Sequence, residues 1–104
     1  RTFQQDIATA DGCLQELPAL LTELEQDIAK MRVPRPFNKI FVKLKFSNFQ
    51  QTTREQAGIA LMPEAYQTLV TEAFERSPHA VRLLGVGVRF PEKGDESQLE
   101  LKLD

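Results

Sequence analysis

Between Lys30 and Arg54 the chain carries seven basic residues, Lys30, Arg32, Arg35, Lys39, Lys43, Lys45 and Arg54, and no acidic one. The stretch before it holds Asp11, Glu16, Glu23, Glu25 and Asp27, and the segment after Phe90 is acidic again. Net charge is −2, so this basic block is a local surface on an acidic chain. A polyanion is the partner such a surface fits; charge alone leaves a solvated basic face as an equal reading.

Side chains that could break or make bonds are sparse. Ser77 and His79 flank a proline, where a helix cap and a surface histidine account for both better than a nucleophile–base pair. Cys13 lies near an expected helix start, which would lower its pKa somewhat, although a small packed residue is the simpler role. One cysteine and one histidine among 104 residues exclude an intramolecular disulfide and a zinc site built from Cys and His. The lone cysteine also suggests a reducing compartment. No apolar run approaches the ~20 residues needed to cross a bilayer, and no signal pattern opens the chain. It starts at Arg1 without methionine and reads as a piece of something longer or as a mature fragment. No enzyme, metal site or cofactor site is expected in it.

The elements that must position the basic residues follow from periodicity. Residues 2–8 alternate and suit a short strand. Leu14, Leu17, Leu21, Leu24, Ile28 and Met31 form a helical stripe, with Pro18 requiring either a start near Leu17 or a kinked first turn. Residues 38–47 form the clearest strand: Ile40, Val42, Leu44 and Phe46 face one way, and Lys39, Phe41, Lys43 and Lys45 the other. Residues 50–59 read as a more polar strand. A second helix starts at Pro63 and buries Tyr66, Leu69, Val70, Ala73 and Phe74. Residues 80–90 form a last strand. The order β-α-β-β-α-β predicts an α+β two-layer fold, a four-stranded sheet with two helices packed on one face, leaving the strand order undetermined.

On the open face, Lys43 and Lys45 would stand about 7 Å apart, close to the spacing of adjacent phosphates. Leu83, Gly85, Gly87 and Arg89 share the exposed phase of the last strand, where glycines either admit a close-lying chain or relieve crowding. Gly85-Val86-Gly87 is no dinucleotide fingerprint, because no helix follows. Thr52, Thr53 and Arg54 add donors of the kind that position phosphates without reading bases, with Arg82 and Arg89 at the margins. Phe41 is the one aromatic candidate on those exposed strand positions, so base stacking of the RNA-recognition type is disfavoured.

After Pro91, residues 92–97 read as a flexible polar linker, and Gln98, Leu99, Leu101 and Leu103 as an extended peptide with its leucines on one side. Such a segment is either a linear motif that docks in a partner's pocket or a fifth, edge strand.

The runs VKLKFSNFQQTTRE (Val42 to Glu55) and VRLLGVGVRF (Val81 to Phe90), with the opening Arg1-Thr2-Phe3, resemble the little-finger domain of bacterial Y-family translesion polymerases of the DinB, polymerase IV branch. The ending QLELKL resembles that family's sliding-clamp motif. The resemblance implies a domain over residues 1–91 that touches duplex primer–template DNA through phosphates, and a clamp-binding peptide over 98–104. Carried over position by position, the DNA contacts are Arg1, Thr2, Lys43, Lys45, Thr52, Thr53, Arg54, Arg82, Gly85 and Gly87. Gly87 departs from relatives with a basic residue there, and Asp104 extends past the final leucine. The clamp contacts are Gln98, Leu99, Leu101 and Leu103, the partner being the polymerase III β subunit. The parent would be an error-prone, cytoplasmic, DNA-directed DNA polymerase whose palm carboxylates and Mg2+ lie outside this chain. Two rivals remain: a stand-alone βαββαβ nucleic-acid-binding module, and an adaptor whose sheet face binds an acidic protein.

Overall fold

The computed structural model describes residues 2–31, 36–91 and 98–101, with residues 2–4 and 98–101 as backbone. Five strands and two helices follow in the order β1 (Thr2–Ile7), α1 (Ala10–Ala29), β2 (Lys39–Phe46), β3 (Gln51–Ala57), α2 (Pro63–Phe74), β4 (Val81–Arg89) and β5 (Gln98–Leu101). The expected β-α-β-β-α-β order is present. The short segment β5 adds to it along β4.

All pairings are antiparallel, and the sheet runs β1-β4-β2-β3. The last long strand therefore inserts between the first two, an arrangement that local periodicity does not encode. One edge of β4 lies against β2 along its whole length. Its other edge is shared: β1 pairs near Val81 and Leu83, and β5 pairs from Val86 to Arg89.

Thr9 caps α1, its hydroxyl accepting from the Gly12 amide at 3.0 Å, so the helix starts at Ala10, well before Leu17. Pro18 sits inside the helix on its exposed side. Lacking an amide hydrogen, Pro18 leaves the Leu14 carbonyl without its helical donor. Gly12 is required where it stands: a Cβ there would fall 2.6 Å from Cγ2 of Ile7. Proline at the start of α2 has the fixed φ that a first turn wants and no amide to leave unpaired.

Both helices cover one sheet face. Leu17, Leu20 and Leu24 of α1 and Tyr66, Leu69 and Val70 of α2 meet Ile40, Val42, Leu44 and Phe46 of β2 and Leu84, Val86 and Val88 of β4. Each fully buried side chain of this size contributes roughly 1.5–3 kcal/mol through water exclusion, so this layer dominates stability. The buried Tyr66 hydroxyl is satisfied by donating to the Gly87 carbonyl at 2.8 Å. Burial also raises its pKa. Cys13 belongs to the same core, and burial, with Glu16 nearby, pushes its thiol up to about 11. The lowered pKa considered from its place near a helix start is thus not found: loss of water outweighs the helix end. No helix among the described residues is long and apolar enough to cross a membrane.

Candidate nucleic-acid interface

The face opposite the helices is set by register. Lys43 stands between Thr53 of β3 and Gly85 of β4, and Lys45 between Gln51 and Leu83. Phe41 stands between Glu55 and Gly87, and Lys39 between Ala57 and Arg89. Directly paired residues share a face, so Lys43, Lys45, Thr53, Gly85, Gly87 and Arg89 come together as the alternation of β2 and β4 predicts. Thr2 pairs with Leu83 of β4 by register. Gly85 and Gly87 are buried, although their phase is the open one. Having no side chains of their own, Gly85 and Gly87 let a neighbouring chain lie close to the backbone there.

Thr52 and Arg54 are placed on the other side. Each is one residue out of phase with Thr53, and β3 is an edge strand beside α2. Arg54 donates to Glu72 through Nη2 at 2.9 Å and Nε at 3.3 Å, and Thr52 accepts from Nη1 of Arg76 at 2.6 Å. Those two side chains tie the sheet edge to α2 and to the turn that follows it, and do not join the lysine row. The alternation within QQTTR signals this; its donor chemistry does not.

Arg89 is on the open face but engaged. Its Nε donates to Glu55 at 2.9 Å, and its guanidinium lies 4.6 Å from the centre of the Phe41 ring. Lys39 reaches the same carboxylate at 3.4 Å. Phe41 is consequently 2% exposed, roofed on the side away from the core, and offers no platform for a base.

Arg82 sits at a bulge. Lys45 pairs with Leu83 and Phe46 with Val81, which leaves Arg82 as the extra residue of β4. A bulge re-aims a side chain, and here it sets the guanidinium 5.0 Å from the ring centre of Phe49, in the β2–β3 turn. Lys45 Nζ lies 5.3 Å from the same ring. Among the described residues neither Lys45 nor Arg82 has a carboxylate partner. Nothing in the local sequence marks Phe49 as a site residue. A lone phenylalanine between Asn48 and Gln50 reads as turn filling, and only the cations brought over it from two strands distinguish it.

The tail is part of the sheet. Leu99 registers with Val88 and Leu101 with Val86, both core positions, while Gln98 registers with Arg89. Arg1, Leu103, Asp104 and the linker over 92–97 lie outside the described residues.

Comparison with known proteins agrees with this geometry. A family model, the impB/mucB/samB family C-terminal domain, matches residues 1–101. DNA polymerase IV of Pseudomonas entomophila is 46% identical over 101 residues, covering 96% of this chain and 28% of that protein. The enzyme of the same name from Ectopseudomonas mendocina is 43% identical over the same length. The chain thus spans less than a third of the relatives it matches. Among solved structures, the little-finger domain of PolIV, in a complex with the β-clamp processivity factor, superimposes with a TM-score of 0.81 at 32% identity, over 95% of this chain and 91% of that one. An open lysine-bearing sheet face, two helices behind it and matches along nearly its whole length place this chain in the impB/mucB/samB C-terminal domain family, as a little finger of the DNA polymerase IV type.

Proposed function

We propose that this chain is the DNA-gripping domain of a translesion DNA polymerase, holding duplex primer–template DNA by its phosphates and carrying a peptide for the sliding clamp. The observation that supports the grip most directly is the row Lys43, Lys45 and Thr53 beside Gly85 and Gly87 on the face opposite the helices. Two residues of strand rise set Lys43 and Lys45 about 7 Å apart, near the spacing of phosphates, and the one aromatic strand residue of that face, Phe41, is covered. Phosphate contacts carry no sequence information, so a lesion in the bases does not weaken them. The palm of the parent, with its carboxylates and Mg2+, supplies the chemistry from outside this chain, in the cytoplasm.

Fluorescence anisotropy of this chain with duplexes of unrelated sequence tests the grip. Affinities should agree within about threefold, because phosphate contacts dominate. A preference above about tenfold for one sequence would mean that bases are read and would defeat the proposal.

The clamp half rests on QLELKL and on the little finger of known structure, which was solved with its clamp. In this chain Gln98–Leu101 is a four-residue strand on β4. A strand that short is held by few backbone bonds and can exchange its β4 edge for a partner's pocket. Replacing Leu101 and Leu103 by Ala should weaken binding to a bacterial sliding clamp by two or more orders of magnitude, since each burial is worth roughly 1.5–3 kcal/mol. Unchanged clamp affinity in that variant would leave the tail as a structural strand and refute the motif.

A further inference from the structure

The β2–β3 turn holds an aromatic residue in a backbone conformation that favours glycine. The Phe46 carbonyl accepts from the Phe49 amide at 2.8 Å, and the Gln50 carbonyl accepts from the Phe46 amide at 2.8 Å. This is a short hairpin loop closed by one residue in the left-handed region, a position that such loops usually give to glycine. Phe49 takes it with φ 70°, the one positive φ among the described non-glycine residues. Bulky residues rarely adopt that conformation, and when they do the strain often belongs to a functional segment.

The core does not account for Phe49. The side chain is 61% exposed and lies outside the buried cluster. What surrounds it is charge of one sign: Lys45 Nζ at 5.3 Å and the Arg82 guanidinium at 5.0 Å from the ring centre. Arg82 is brought there by the β4 bulge and Lys45 by β2, so two strands converge on one turn residue. The cluster continues the Lys43–Lys45 row to the end of the open face.

An exposed ring flanked by cations differs from a phosphate reader. Duplex DNA hides its base faces in the stack, so a ring gains little from it. A single strand offers both a base face for the ring and flanking phosphates for the cations, and stacking tolerates any base because every base has a π-face. We infer that Phe49, with Lys45 and Arg82, is a stacking site for one unpaired base of single-stranded DNA at the end of the lysine-bearing face. On entry of the base, the two cation heads turn from the ring to the phosphates beside it. The inference rests on the DNA-gripping reading and adds to it a distinction between single and double strands.

The chain contains no tryptophan, so Phe49→Trp would carry the sole indole. Its emission should be quenched on titration with an oligothymidylate and with a duplex bearing a single-stranded overhang. A blunt duplex, bound through the lysine row, should leave the emission nearly unchanged. In parallel, Phe49→Ala should weaken oligothymidylate binding by about fivefold or more and leave blunt-duplex binding within about twofold. Phe49→Asn, which tolerates the left-handed backbone, should behave like the alanine variant and so separates loss of stacking from turn strain. Equal quenching by blunt duplex and single strand, or an alanine variant that loses neither or both equally, would overturn the stacking site. If instead the wild-type chain bound no DNA of either kind, the gripping reading itself would fall.

Discussion

The open sheet face has two ends of similar basic content and different availability. At one end Lys39 and Arg89 are drawn onto a single carboxylate, Glu55, and Arg89 is spread over the Phe41 ring. At the other, Lys45 and Arg82 stand over an exposed Phe49 with no carboxylate among the described residues to hold them. Counting cations along the chain makes these ends equivalent. Register makes them opposite, because it brings Glu55, a residue of the polar strand β3, beside Phe41, with Lys39 and Arg89 one pair further along. An ion pair with both partners a third or more exposed adds little stability, about 0–1 kcal/mol. On the proposed DNA-gripping reading its consequence for binding is larger than for folding: phosphates would compete with Glu55 for Arg89 and Lys39, and would meet no such carboxylate at Lys45 and Arg82.

The largest expected effect comes from reversing the charge of the lysine row. Changing Lys43 and Lys45 together to Glu should lower duplex affinity by roughly two orders of magnitude in 0.1 M salt while the fold persists, since neither side chain enters the core. Leu44→Asp, one residue away on the helix side, should unfold the domain instead, because it buries an unpaired charge. Circular dichroism melts of both variants check the assignment of faces.

A smaller change in the opposite direction should follow from Glu55→Gln. Releasing Arg89 and Lys39 should tighten duplex binding about two- to fourfold. If affinity fell instead, Glu55 would be positioning Arg89 for DNA rather than withholding it, and the two ends would be more alike than their ion pairs suggest.

The smallest effect on binding should come from the back of β3. Arg54→Ala removes the bond to Glu72 and should change DNA affinity less than about twofold while lowering the melting temperature by about 2–4 °C, as expected for a surface pair in a domain of this size. A large loss of DNA binding there would return Arg54 to the interface through the sheet edge.

Much of this was legible in the sequence for a physical reason. The alternation of β2 is strict because one face must be apolar, so Ile40, Val42, Leu44 and Phe46 betray the opposite phase of Lys43 and Lys45. The heptad-like leucines reveal α1, but its start is decided by the Thr9 cap and the tight Gly12–Ile7 approach, which a pattern of leucines does not report. Donor chemistry groups Thr52 and Arg54 with Thr53, whereas the period of two in a strand separates them. Phe49 was illegible because its partners come from β2 and from a bulge in β4, and strand order is a long-range property. The tail allowed two readings, and its pairing with β4 depends on an edge that β1 leaves uncovered from Val86 onward.

The central claim, that the open face holds DNA by its phosphates through the lysine row, is tested most directly by the salt dependence of duplex binding. With about three to five phosphates neutralised, log affinity against log salt concentration should fall with a slope of about −3 to −4.5 for the wild-type chain. The Lys43→Glu, Lys45→Glu variant should be markedly shallower. A wild-type slope near zero, or one that the two substitutions leave unchanged, would contradict the account.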